Sequence, residues 1–272
     1  MKYCRFLLDH HVRYGTVEEI GSELWIAGPA PAPAEDLAYR LALEQNEAIR
    51  FDFEPMLLSA ADLLPPVTPS KIVCVGRNYR EHVRELGNEM PVEPLLFLKP
   101  PSSLLAPGGT VLLPQQSSRV DFEGELALVI ARRTRRFPPE GNWRSVVRGL
   151  TLANDISARD MQKKDGQWAR AKGFDTFCPV GPIVSDEADL DAGIRIETRV
   201  NRELRQRAST LEFIFAVPEL LSAISAAMTL EPGDLVLTGT PAGVGPLAPG
   251  DRVEVSAEGL GVLANTVEVD RT

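Results

Sequence analysis

Cysteine is scarce in this 272-residue chain: there are three, at Cys4, Cys74 and Cys178, odd in number and far apart. No CxxC and no Cys/His pairing at metal-ligand spacing occurs. That excludes a disulfide framework and a zinc-finger type of site, and reads as reduced, packed thiols of a cytosolic protein. Also missing is any run near the roughly 18 apolar residues of a membrane helix. Met1 to His11 carries Lys2, Arg5 and Asp9 in place of a signal-peptide stretch. A cytoplasmic protein without a membrane partner is expected. Positive charge is in short supply too, with 29 basic against 38 acidic residues and a net charge of −9. Phosphate binding needs a basic face, so no nucleic acid is expected as the main partner. A small anionic substrate, held by a few cations beside a metal, stays open.

What is present supports a sizeable core, at 44% hydrophobic and 25% charged residues, enough for one large domain with a small one attached. The best boundary is Leu64-Pro65-Pro66-Val67-Thr68-Pro69, where three prolines deny regular hydrogen bonding. We expect a small N-terminal domain over 1–65 and the main domain over 70–272. Loose alternation from Lys2 to Ile26, broken by Gly15 and Gly21, predicts a small antiparallel sheet. His10-His11 falls in its hairpin and is a poor metal site; Pro29 to Pro33 reads as a stiff loop. Lys71 to Gly76 predicts a buried strand opening the main domain. Glu231-Pro232-Gly233-Asp234 and Ala248-Pro249-Gly250-Asp251 are matched Pro-Gly turns, each leading into a strand. One helix starts at Pro218 and carries the stripe Leu220, Leu221, Ile224, Ala227, Met228. The whole predicts a β-rich α+β fold.

In Asp121-Phe122-Glu123-Gly124-Glu125 two glutamates precede the apolar run Leu126 to Ile130. In a strand, Glu123 and Glu125 share a face about 7 Å apart, and Ala127 and Val129 continue that face as apolar. Both carboxylates thus sit where water runs out, and a divalent cation offsets their repulsion and their desolvation. Asn154-Asp155 adds a third acid. Ser157 and Asp160 have capping-box spacing, which gives Asp160 a structural role and leaves Asp155 as a ligand. Three carboxylates form a hard oxygen site suited to Mg²⁺ or Mn²⁺. A short helix over Arg80 to Leu86 puts His82 and Glu85 at i and i+3, a carboxylate beside an imidazole as a general base requires; Gly87-Asn88 permits a lid. Lys99 and Lys172, among apolar or small residues, are candidates for a substrate carboxylate or an oxyanion. Thr238 to Gly245 lacks the GK[ST] of a P-loop and the third glycine of a dinucleotide fingerprint; Thr240 stays as a substrate hydrogen-bond donor.

Together these stretches resemble the fumarylacetoacetate hydrolase family. The match runs from Cys74-Val75-Gly76-Arg77-Asn78-Tyr79 with His82, through Phe97 to Pro100, Phe122 to Leu126, Asn154-Asp155 with Ala158-Arg159-Asp160 and Lys172 to Asp175. It ends with Thr229 to Asp234 and Thr238 to Pro241 with Gly243 to Gly245, covering roughly Lys71 to Val269. The resemblance implies a distorted β-roll, usually dimeric, with Mg²⁺ or Mn²⁺ on Glu123, Glu125 and Asp155. It also implies His82 and Glu85 as the base on a lid, and Lys172 and Gln162 holding the reacting oxygens. The hydrolase that names the family has a further aspartate ligand near Arg77. An arginine cannot ligate, so the three-carboxylate branch is the better likeness.

The expected activity is isomerisation or decarboxylation of a small 2-oxo or 2-hydroxy-dienoic acid in aromatic catabolism. Acylpyruvate hydrolysis and oxaloacetate decarboxylation are the alternatives, and a non-catalytic metal-dependent binding protein is an alternative of another class. Arg77, Tyr79, Lys99, Arg159 and Thr240 are the expected substrate contacts, with the arginines and Lys99 as candidates for a second carboxylate.

Overall fold

A run that is apolar on both faces must be covered on both sides, and the run after Glu123 forms the middle of the molecule. The computed structural model describes every residue except 34, 38, 40, 42–52 and 272, so part of the unit expected over 1–65 lies outside the described residues. In it Gly124–Ile130 is a strand buried along its whole length. Leu126, Leu128 and Ile130 join one apolar cluster with Val73, Leu150 and Ile224. Ala127 and Val129 join another with Cys74, Ala153 and Cys178. This two-sided burial is what the lost alternation predicts.

The acidic strand pairs antiparallel with Val147–Asn154 on one side and Leu235–Leu237 on the other. Beyond Leu235–Leu237 the sheet continues through the parallel strand Ile72–Gly76 to Leu95–Lys99 at its edge. In the other direction Cys178–Ser185 follows Val147–Asn154. The N-terminal strands then extend the same sheet. Lys2–Leu8 pairs with Cys178–Ser185 through Lys2↔Ser185 and Tyr3↔Val184, and His11–Ile20, Glu23–Pro29 and Met56–Leu57 follow in order. Asp9 and His10 form the hairpin turn with φ of 49° and 64°, the left-handed pair that a two-residue loop of this kind requires.

A five-stranded sheet packs across the acidic strand, in the order Glu203–Ser209, Arg195–Val200, Arg252–Ala257, Gly261–Val269, Thr110–Leu113. Contact is so close that a Cβ on Gly124 would lie 2.0 Å from Thr198 Oγ1. Both Pro-Gly turns form as read. Asp234 N–H donates to Glu231 O and Asp251 N–H to Ala248 O, each at 3.1 Å, with Gly233 and Gly250 at φ of 83° and 91°, the type II signature. The fold is β-rich α+β, as expected, and the cysteines are free and buried. Among the described residues no helix is long and apolar enough to cross a membrane.

Two local readings are corrected. The capping box at Ser157 does not form: Ser157 pairs with Asp121 in a short strand, and its Oγ donates to Asp155 O at 3.0 Å. Asp160 instead accepts from Ser117 Oγ (2.6 Å) and Ser118 N–H (2.9 Å). These bonds outweigh its slight burial and hold its carboxyl down at about 2. The helix Val217–Ala227 begins one residue before Pro218, with Glu219 accepting from Ala216 N–H at 2.7 Å. Its stripe is shorter than read, since Ala227 is exposed.

Candidate metal centre and general base

Strand register brings the three acids together. Gly124 lies opposite Asn154, so Glu123 and Glu125 flank the point where Val147–Asn154 ends and Asp155 begins. Backbone and amide bonds fix the junction: Asp155 N–H donates to Glu123 O at 2.8 Å and Glu123 N–H to Asn154 Oδ1 at 2.9 Å. Glu123, Glu125 and Asp155 are buried, and one oxygen from each lies within 4.8 Å of the others.

The charges around them are unequal. Lys172 Nζ donates to Glu123 Oε2 at 2.6 Å and to Asp155 Oδ2 at 2.5 Å, and sits 5.0 Å from the centre of the Phe97 ring. Arg159 reaches Glu123 as well. Burial would raise the Glu123 carboxyl, but Arg159 and Lys172 overturn that and hold it below the ordinary range. Glu125 has no ion pair among the described residues; Gly239 N–H donates to its Oε2 at 2.7 Å. Burial first, then Asp155 and Glu123, push Glu125 well above the ordinary range. Asp155 Oδ1 is 2.8 Å from Lys99 Nζ, yet this buried oxygen takes part in no hydrogen bond. Three buried carboxylates, one of them, Glu125, without an ion pair among the described residues, fit a hard divalent cation, with the oxygen-only set that Mg²⁺ and Mn²⁺ favour.

The helix Arg80–Glu85 carries His82 inside. Its Nδ1 is 3.3 Å from Glu85 Oε2. Burial lowers the imidazole below its ordinary value, against the opposing pull of Glu123 and Glu85. A neutral, oriented imidazole near a buried acid cluster is equipped to take a proton at neutral pH.

The other expected contacts divide. Gln162 is half-buried; its Oε1 accepts from Arg159 at 3.0 Å, leaving its amide nitrogen without a partner among the described residues. Arg77 is half-buried, has φ of 58°, and likewise has no partner among the described residues. Tyr79 is buried, its ring edge-on to Phe213 at 5.0 Å between centroids, and its sealed hydroxyl has no partner.

Three assignments change. Lys99 is fully buried behind Asp155 and donates to Ile156 O at 3.2 Å, so it holds a proposed ligand and does not reach a substrate carboxylate. Arg159 uses Nε on Asp121 at 3.0 Å, one terminal nitrogen on Gln162 and the other on Glu123; its fork is filled internally. The Thr240 hydroxyl donates to Gly124 O at 2.9 Å, which commits its only proton. Sequence reasoning missed Asn78 and Gln206, which tie strand ends to loops and carry no local pattern. A cleft of about 960 Å³, lined by Leu24, Arg195 and Ser256 among others, contains none of these groups.

Residues 71–268 match the family described as fumarylacetoacetate (FAA) hydrolase, C-terminal. The chain belongs to the fumarylacetoacetate hydrolase family. It is similar to oxaloacetate tautomerase YisK of Bacillus subtilis (strain 168), with 40% identity over 224 residues, 77% of this chain and 74% of that protein. Among solved structures it is similar to 2-hydroxyhepta-2,4-diene-1,7-dioate isomerase from Mycobacterium marinum, with 38% identity, TM-score 0.85 and 100% of each chain covered. It is also similar to maleylpyruvate hydrolase from Sphingobium sp. SYK-6, solved with manganese (II) and pyruvate, with 32% identity, TM-score 0.77 and 100% of each chain covered. Named members of the fumarylacetoacetate hydrolase family are thus enzymes of more than one reaction type, one of them a manganese binder, and the chain shares their fold.

Proposed function

We propose that this protein is a divalent-metal-dependent enzyme that moves a proton beside the 2-oxygen of a small 2-oxo or 2-hydroxy-dienoic dicarboxylic acid. Isomerisation is the leading reaction, with decarboxylation drawing on the same developing charge, and the setting is the cytoplasmic breakdown of aromatic compounds by a homodimer. The observation that carries this reading is buried His82, paired with the more exposed Glu85, beside the three-carboxylate cluster. A binding protein or a structural cation site has no use for an oriented base.

Glu123, Glu125 and Asp155 hold Mg²⁺ or Mn²⁺, which supplies Lewis-acid stabilisation of negative charge on the 2-oxygen. His82 takes the proton from the adjacent carbon and returns it further along the chain, and Glu85 stabilises the imidazolium while it lasts. The free amide of Gln162 donates to the developing oxyanion, and Lys172, bonded to Glu123 and Asp155, keeps a positive charge beside it. Of the three cations considered for a second carboxylate, Arg77 alone keeps an uncommitted side chain, so it takes that role. The likeness to the Bacillus tautomerase favours a second reading, keto–enol interconversion of oxaloacetate, which uses the same proton transfer.

The test is a screen of the Mn²⁺- and Mg²⁺-loaded protein against a 2-hydroxymuconate analogue, enol-oxaloacetate and an acylpyruvate. Turnover of the first, lost in EDTA and in His82→Ala, is the expected result. Turnover that survives chelator, or an acylpyruvate cleaved while neither other compound changes, would sink it.

A further inference from the structure

The helix carrying His82 is held at both ends by one short segment. At its start Asn78, fully buried, donates from Nδ2 to Thr238 O at 2.9 Å and accepts from Phe215 N–H at 2.8 Å. At its end the Gly243 N–H donates to both oxygens of Glu85, at 3.1 and 3.2 Å. The stretch between Thr238 and Gly243 is itself fastened to the acidic strand. Gly239 N–H holds Glu125, Thr240 Oγ1 holds Gly124 O, and Gln206 Nε2 donates to Thr240 Oγ1 and Pro241 O at 2.8 Å each. One loop therefore presents two amides four residues apart, one to a proposed metal ligand and one to the carboxylate beside the base.

Gly243 lies close against the backbone at Arg205. Its φ is 99°, and a Cβ there would lie 2.0 Å from Arg205 O. Glu85, by contrast, needs an anchor. Its side chain is 37% exposed, and a free glutamate at the surface samples many rotamers. The 3.3 Å contact to His82 Nδ1 is long and does not pin it alone.

We propose that the backbone N–H of Gly243 is a positioning group for His82. It fixes the Glu85 carboxylate, which accepts from Nδ1–H and so leaves Nε2 as the proton acceptor, as carboxylate partners orient histidines elsewhere. This rests on His82 being the base. Gly243 touches no substrate; it acts through Glu85.

The full-length protein labelled with ¹⁵N-histidine tests this without any substrate, because the chain has three histidines and His82→Gln identifies the signal. At about pH 8, above the ordinary histidine range, wild-type His82 should show the Nδ1–H tautomer alone. Gly243→Ala should give a mixture of tautomers, cut kcat for enol-oxaloacetate or the muconate analogue by roughly 10-fold or more, and leave Mn²⁺ affinity within error. In a Glu85→Ala background the same change should add nothing. If Gly243→Ala fails to fold, an ester in place of the Gly243 amide, introduced by ligating a synthetic C-terminal segment, removes the donor without adding a Cβ. An unchanged His82 tautomer in the folded alanine variant or in the ester overturns the proposal. A tautomer that shifts while His82→Gln keeps full turnover overturns the base assignment instead, and separates the two.

Discussion

A buried carboxylate without a cation partner takes either a proton or a metal, and Glu125 is the residue where that alternative arises. Burial first, then its neighbours Asp155 and Glu123, raise it, and no side-chain ion pair relieves it among the described residues. Glu125→Gln should keep the shape and remove the charge, so Mn²⁺ affinity measured by calorimetry should fall by more than about 100-fold, beyond the loss typical of outer-shell partners. His82→Ala should do the reverse, keeping Mn²⁺ affinity while lowering kcat by about 10²–10⁴-fold, the usual contribution of a general base. The sign of the pH effect follows from the direction of the shift. Burial lowers the His82 pKa from 6.5, so the base loses its proton more readily than an ordinary imidazole. The acid limb of the kcat/KM profile should be centred below pH 6.5. An acid limb centred above that value would show an environment opposite to the one described.

At the scale of elements, the acidic strand is the part whose failure would be costly. Leu128 is fully buried among Val73, Leu150 and Ile224. Leu128→Ala should reduce stability by about 3 kcal/mol in urea unfolding, from lost transfer energy and the cavity left behind. This strand was legible because its alternation stops at Glu125, and a period-two pattern that ends in continuous apolar residues has one structural solution. The base helix was legible from the i, i+3 spacing of His82 and Glu85, and the two turns from Pro-Gly chemistry. The reading failed at Ser157, where local capping logic competed with pairing to Asp121, a strand partner 36 positions away. For Lys99, Arg159 and Thr240 it did not show the bonds they make within the protein. Their types were right for a polar site, but whether a cation faces a substrate or a neighbouring carboxylate depends on tertiary geometry that no local pattern encodes. Asn78 and Gln206 illustrate the same limit, being single amides whose meaning lies wholly in the segments they join.

For the molecule as a whole, ligand binding at the acid cluster should report as global stability, because Glu123, Glu125 and Asp155 come from segments paired in the central sheet. Mn²⁺ at a hundred times its dissociation constant stabilises by about 2.7 kcal/mol. For a chain of this size that corresponds to a rise in Tm of roughly 5 °C. Differential scanning fluorimetry should show the rise in the wild type and little of it in Glu125→Gln; equal shifts in both would place the ion elsewhere.

The strand Lys2–Leu8, fastened to Cys178–Ser185, sets a timetable for synthesis. The amino group of Met1 meets Asp186, 185 positions downstream. Arg5 to Leu7 pair early, with Leu64 to Asp62, but on a ribosome adding about 5–20 residues per second Lys2 and Tyr3 wait roughly 10–40 seconds for Ser185 and Val184. Throughout that interval this short end of the strand is an uncovered β-template, the condition under which nascent chains recruit chaperones or cluster. Slower growth at low temperature, or co-produced trigger-type holdases, should therefore decide how much of this protein is recovered in native form.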